Sequence, residues 1–307
     1  MEIAPFEPGM AAGVAACYND LVAGVPHCSP VAADEFVSLE RLAFAACREE
    51  TVLVARRAGS EILGFVHTGV AAPPTEDWHP KDEPGIIRFL AYRPGQRAVG
   101  HALLQAAETW LRERGRLAVM AWSNDYSYPF YHLPVAHLSD RIAHAHPLFA
   151  LGGYGVAMSE LLFEWPDFEP PTVRRPGFDL DVAVEWRDSI AIGARVLKPA
   201  LVVRAMRGDQ EAGRCEIAGL GRATSRADAA GWCFCDELFV AEPLRGRGLG
   251  KFLLAAALAE MHQAGFRHAA ISTDWNNYRA ALFYANFGYS LCDRTFAFRK
   301  EMGDGSA

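Results

Sequence analysis

The sequence is poor in the features that mark several protein classes. No run of about 18 uncharged apolar residues occurs in the 307-residue chain, so no bilayer-spanning helix is expected. The opening "MEIAPFEPGM" lacks a basic stretch leading into an apolar core, so it does not read as a secretory signal, and the cytoplasm is the expected address. Cysteine is sparse: Cys17, Cys28, Cys47, Cys215, Cys233, Cys235 and Cys292 are odd in number and dispersed, which argues against a disulfide framework and fits reduced, buried thiols. Positive charge is in deficit as well. Lys and Arg number 30 against 37 Asp and Glu, a net charge of −7, which does not supply the basic surface a nucleic-acid partner needs. Neither HExxH nor paired CxxC spacing appears, so no metal site is expected, and His132, His137, His144 and His146 read as a partly exposed loop face.

What is present is a globular composition, 51% apolar and 22% charged, in a chain longer than one usual domain. The chain also repeats itself. "YRPGQRAVGHALLQAAETWLRERG", ending at Gly115, and "AEPLRGRGLGKFLLAAALAEMHQAG", ending at Gly265, align at a constant offset of 150 residues, with Gly100 on Gly250, and Leu103 and Leu104 on Leu253 and Leu254. Each segment closes on a glycine where a helix C-cap is expected. Paired β-rich runs precede both segments, and a strand follows each, "RLAVMAW" or "FRHAAIST". An aromatic and glycine sequence comes later in each half, "LFALGGY" at 148–154 and "LFYANFGY" at 282–289. Each half therefore reads as an α/β unit, a mixed α+β sheet with flanking helices.

Between the halves, Glu164–Asp179 carries four prolines and no periodicity, the composition of a linker. The expected domains are 1–171 and 172–307. The offset falls to 135 before the final aromatic segment, because the first half holds 15 extra residues within "SNDYSYPFYHLPVAHLSDRIAHAH".

At "LRGRGLG", residues 244–250, three glycines alternate with two arginines between a strand and a helix. A helix N-terminus offers unpaired N–H groups and the positive end of the dipole, and glycine lets a phosphate approach the backbone. The turn lacks the Lys-Ser/Thr ending of a Walker A loop and the full GxGxxG of a dinucleotide fold. It reads either as an anion site suited to a diphosphate or as a structural turn.

The order of "DELFVAEPLRGRGLGKFLL", a strand and "DWNNYRAALFYANFGY" resembles the GNAT superfamily of acyl-CoA N-acyltransferases. Arg245, Gly248 and Gly250 match the glycine-turn signature of that family, and Asn277, Ala280, Tyr284, Gly288 and Tyr289 match its second pattern. The resemblance covers residues 177–300, with a weaker copy in the first half, which makes the chain similar to tandem GNAT proteins. It implies an enzyme, an N-acetyltransferase that moves an acyl group from acetyl-CoA, its co-substrate, to a primary amine of a small molecule or peptide by direct attack. A non-catalytic CoA-binding or sensing module is the alternative. Neither reading calls for a nucleic acid, a membrane or a metal, and a homodimer is compatible with both.

The resemblance also assigns residues. Leu238, Phe239 and Val240 would lie along the pantetheine arm, with the N–H of Phe239 or Val240 facing the thioester oxygen. Arg245, Gly246, Arg247, Gly248, Leu249, Gly250 and Lys251 would hold the diphosphate, and Asn277 the pantetheine amide, unless it simply caps a helix. Tyr284 takes the general-acid position; a phenol, with an ordinary pKa of about 10, can protonate a departing thiolate. Glu237, beside the expected carbonyl, is the candidate base, with Asp236 expected on the opposite strand face. Cys233 and Cys235 share a strand face and read as core.

The halves are unequal. Gly95 stands in place of Arg245, Ala98 of Gly248, Ile142 of Asn277 and Phe149 of Tyr284, so the first half reads as a catalytically degenerate copy. The second half has only about 20 residues between Phe178 and Ala200 for the opening elements that line an acceptor pocket, so that pocket is expected to be completed by the first half or by a partner subunit, as in many interdomain sites.

Overall fold

Runs rich in Val, Ile, Phe and Tyr form the strands, and the two glycine-preceded Leu/Ala runs form the long helices, in the computed structural model of the chain. The structure describes residues 1–36, 47–57, 61–72, 84–193, 195–221 and 228–303. It divides into two units: Met1–Glu160 with the residues from Arg294 onward, and Leu161–Asp293.

In the first unit the strands are β1 (Glu2–Pro5), β2 (Cys47–Arg56), β3 (Ile62–Ala71), β4 (Gly85–Tyr92), β5 (Ala118–Ala121) and β6 (Leu138–Ser139). Two more strands, β7 (Gly155–Trp165) and β15 (Ser290–Glu301), begin in one unit and end in the other. The sheet order is β1-β2-β3-β4-β5-β15, and β4 and β5 run parallel. The turn expected between β2 and β3 falls at 58–60, outside the described residues. Helices α1 (Ala11–Val22) and α2 (Arg97–Arg112) pack on β3 and β4, and α3 (Ala145–Leu151) follows the insertion. In α2, Val99, Leu103, Leu104, Ala107 and Leu111 are buried, the spacing of one helical face. Past its end Gly115 adopts φ +70°, the left-handed conformation that stops a helix.

The aromatic insertion is core rather than loop. Tyr128, Phe130 and Tyr131 are all buried; Phe130 meets Tyr18 edge-on at 5.1 Å, and Tyr128 stacks on Phe89 at 5.1 Å. The Tyr18 hydroxyl donates to the Phe130 carbonyl at 3.0 Å. His132 and His137 are buried too, not on an exposed loop face: their Nδ1 atoms accept from the N–H of Leu133 and of Asn124. Burial pushes His137 down to about 4.

The second unit contains β8 (Asp181–Arg187), β9 (Ile190–Ile192), β10 (Arg195–Leu197), β11 (Ala200–Arg207), β12 (Gln210–Gly219), β13 (Trp232–Val240) and β14 (His268–Asp274), with helices α4 (Leu249–Gln263) and α5 (Tyr278–Phe287). Its order is β7-β14-β13-β12-β11-β8. Leu253, Leu254, Leu258 and Met261 of α4 pack with Leu201, Val203, Cys215, Ile217, Cys233 and Cys235, so both strand cysteines are core as expected. Burial pushes the Cys233 thiol well up, which leaves it inert. Between β8 and β11 the described residues form only the β9–β10 hairpin, where the first unit has α1.

The unit division falls at 160/161, and the chain returns to the first unit from Arg294, whereas the sequence places a boundary near 172. The proline-rich stretch has no helix or strand beyond β7, but its Phe168, Val173 and Phe178 pack on the second unit's core. Phe130→Ala should cost about 3–5 kcal/mol of stability, as expected for emptying a buried aromatic site. Chemical denaturation of the full chain measures this; a loss near zero would show that the insertion is not part of the core.

Candidate active site

Strands β13 and β14 pair in parallel from Trp232↔His268 to Cys235↔Ile271, and the ladder stops there although β13 continues to Val240 and β14 to Asp274. Beyond Cys235 the strands splay. On its other edge β13 stays paired with β12 through Gly213↔Val240, so only the edge facing β14 is released. A β-bulge accompanies the splay: Glu216 faces Glu237 and Ile217 faces Cys235, leaving Asp236 as the extra residue that bends and twists the strand. A cavity of about 560 Å³ opens beside the freed edge, lined there by Leu238, Phe239 and Val240. Its size is that of a small-molecule site.

The glycine turn forms the next wall. Arg245, Gly246, Gly248, Gly250 and Lys251 line the same cavity. Gly246 and Gly248 adopt φ +74° and +88°, a region that disfavours side chains, and a Cβ built on either would meet nothing within 4 Å. Gly248 is the N-cap of α4, so the first free N–H groups of that helix border the cavity. Arg245 donates from Nε to the Val240 carbonyl at 2.9 Å, which ties the turn to the end of β13.

Helix α5 supplies the third wall. Asn277 is its N-cap, accepting from the Ala280 N–H at 3.3 Å, and it also lines the cavity, so its capping and pocket positions coincide. One and two turns further on, Ala280 and Tyr284 point the same way. Tyr284 is buried, with its ring 5.8 Å from Phe163 in a T-shaped contact.

Not every expected residue reaches the cavity. Leu249 is buried in the core, and the Arg247 guanidinium lies 5.4 Å from the Phe178 ring centroid; neither lines it. Glu237 does not line it either. Its two carboxylate oxygens each accept from Arg214, from Nε and from Nη2, both at 2.7 Å, a bidentate fork. Beside it, Asp236 is exposed, yet loss of water around its carboxyl, helped by the charges of Glu216 and then Glu237, raises its pKa to about 6. Leu244, Arg279, Ala280 and Phe283 also line the cavity. Ala280 was already part of the second sequence pattern, and the three-residue step from it could have found Phe283; nothing local marks Leu244 or Arg279.

The first unit has the same ladder without the opening. The β4–β5 pairing ends at Ile87↔Ala121, and the space beyond is packed with rings, Phe89 lying 4.3 Å from Trp122 and 5.5 Å from Tyr131. Polar groups meet nearby: buried His67 Nε2 and Arg88 Nη1 lie 3.0 and 2.9 Å from Oε2 of the partly buried Glu50, and His67 Nδ1 is 2.8 Å from the Tyr128 hydroxyl. Helix α2 starts at Arg97, which aligns with Arg247, two positions before the start of α4. Ala98 is therefore helical where Gly248 is left-handed. The cavity at this turn is about 250 Å³, and Tyr92, His144, Pro147, Leu148 and Leu151 crowd it. His144 Nε2 lies 2.8 Å from the Tyr92 carbonyl.

Comparison with known proteins agrees with this geometry. Residues 161–289 match the acetyltransferase (GNAT) family. A tandem GNAT protein from the clavulanic acid biosynthesis pathway shares the fold over 99% of both chains, at 17% identity and a TM-score of 0.62. A GCN5-related N-acetyltransferase from Sphaerobacter thermophilus does so over 99% of this chain and 96% of its own, at 15% identity and a TM-score of 0.61. The GCN5-related glucosamine N-acetyltransferase region of a fungal multi-domain GH3 beta-N-acetylglucosaminidase matches 97% of this chain and 38% of its own, at 15% identity and a TM-score of 0.64. No curated protein matches the sequence significantly. The second half thus resembles the acetyltransferase (GNAT) family over residues 161–289, and the chain as a whole shares the fold of a tandem GNAT protein.

Proposed function

We propose that the second unit transfers an acyl group, acetyl in the simplest case, from CoA to a primary amine of a small molecule or peptide in a ternary complex, and that the first unit is catalytically silent. The observation that carries this reading is the single cavity bounded by the freed edge of β13, the glycine turn and α5. The diphosphate of acetyl-CoA would sit on the N-terminus of α4, with Arg245 and Lys251 adding charge. Pantetheine would run along Leu238–Val240, exchanging amide hydrogen bonds with the released backbone and with Asn277. No metal enters this scheme. Among the described residues, no helix is long and apolar enough to cross a membrane.

In this scheme the amine arrives as an ammonium and gives one proton to a carboxylate. Of the two candidates, Glu237 has both oxygens occupied by Arg214, whereas Asp236 has a carboxyl raised toward working pH, where a general base is most effective. Neither carboxyl lines the cavity, so the proton would pass through water; we assign it to Asp236, whose carboxyl is held up by lost hydration and then by the charges of Glu216 and Glu237. The neutral nitrogen attacks the thioester carbon, and the N–H of Phe239 or Val240 stabilises the oxyanion. The C–S bond then breaks, Tyr284 protonates the thiolate, and the second proton of the attacking nitrogen is released to solvent and returns to the Tyr284 phenolate as the amide forms. The chain's net charge of −7 suits cationic amines at the level of encounter. An amine screen that follows thiol release from acetyl-CoA tests the activity as a whole.

Three substitutions test the parts. Gly248→Val sets a branched side chain on the diphosphate path at φ +88°, and calorimetry on folded protein should show acetyl-CoA binding weakened by about tenfold or more. Unchanged affinity would remove the turn from the site. Tyr284→Phe should lower kcat by roughly 10² to 10⁴ with little change in acetyl-CoA affinity; normal turnover would give the acid role to another group. Asp236→Asn should abolish the acid limb of the kcat/KM profile near pH 6, while Glu237→Gln, by removing a neighbouring negative charge, should move that limb to lower pH and keep turnover. The reverse pattern would make Glu237 the base.

A further inference from the structure

Strand β8 ends the second unit's sheet: β11 pairs one of its edges, and no strand among the described residues pairs the other. Natural edges of this kind are blunted by proline, lysine or a bulge. The sequence of β8, "DVAVEWR", contains none of these residues, and its pairing with β11 runs without a register shift from Asp181↔Met206 to Arg187↔Ala200. Its apolar residues form a row. Val182, Val184 and Trp186 stand opposite Ala205, Val203 and Leu201, three fully buried members of the core beneath α4. The core layer thus runs out to the edge, where Val184 is 46% and Trp186 44% exposed.

We propose that β8 is a homotypic pairing edge, through which a second copy of this chain adds its own β8 antiparallel and so forms a twofold dimer. The occupant follows from the self-complementarity of the seven residues. With the axis at Val184, every residue of β8 gains a partner. Asp181 then faces the partner's Arg187, so two opposite-charge pairs form across the twofold. On the other face Val182 meets the partner's Trp186, a β-branched and aromatic pair, and Val184 meets its own copy, which continues the apolar row from one sheet into the next. In the single chain Arg187 leans across β11, 3.1 Å from Glu185 and 3.5 Å from Glu216 of β12, so meeting the incoming carboxylate means exchanging one carboxylate partner for another. A different protein would have no reason to match both charge order and apolar order about one point. None of these residues belongs to the acyl-transfer cavity, so the inference stands apart from the proposed function.

Sedimentation velocity on the full chain across a concentration series tests it. The wild type should be dimeric at the upper end of the series. Val184→Lys places like charges face to face on the axis, at a position solvent already reaches, and should give a monomer that binds acetyl-CoA as the wild type does. Asp181→Arg alone should weaken the dimer, and Asp181→Arg combined with Arg187→Asp should restore it, a recovery that damage to the fold would not produce. A wild type that is monomeric at every concentration, or a dimer equally stable with Val184→Lys and Asp181→Arg, would overturn the proposal.

Discussion

The early end of the ladder between β13 and β14 is the constraint on which the second unit's site depends. Two parallel strands that stay paired leave no room for a ligand and no backbone group to recognise one. Stopping the ladder at Cys235 and Ile271 frees main-chain donors and acceptors at the bottom of a cleft, where groups cut off from water need partners. The bulge at Asp236 lets β13 turn away from β14 while remaining paired with β12. The extra residue thus sits where the ladder opens, just before Leu238–Val240 reach the cavity.

The internal repeat shows what happens when the same scaffold loses that opening. Both units keep a parallel pair of strands joined by a long helix, and both helices end at a left-handed glycine. In the first unit, aromatic rings from the insertion fill the wedge, and the contact of Phe89 with Trp122 replaces the contact a ligand would make. Its bulge, between His67 and Thr68, leaves Arg88 as the extra residue, and that side chain is drawn inward to Glu50 rather than presented to a site. Geometry that opens a cavity in one half serves packing in the other.

Much of this was legible in the sequence because it is local. The repeat, the helix ends at Gly115 and Gly265, the cysteine pair in the core and the left-handed glycines all depend on neighbours a few residues away. The α/β fold followed from those signals, while the residues along the cavity wall were named only by the resemblance to the GNAT superfamily. The unread features are pairings at long range. Arg214 lies 23 residues from Glu237, and nothing around Glu237 announces that its oxygens are taken. The bulge depends on which residue of β12 stands opposite, which one strand alone does not encode. The insertion was legible as aromatic but not as core, because its partners Tyr18, Phe36 and Phe89 come from distant segments.

The two-residue advance of α2 over α4 makes the divergence of the halves hard to reverse. Restoring glycine at position 98 would leave Arg97 and its neighbour within a formed helical turn, whose hydrogen bonds would have to be given up before any backbone N–H faced outward. That loss comes first, and no ligand contact repays it while Tyr92 and His144 still occupy the space and the aromatic wedge stays shut. Each single step back is therefore unfavourable by itself. The first half is held in its closed form by helix and ring packing together, so opening it would take several substitutions made at once.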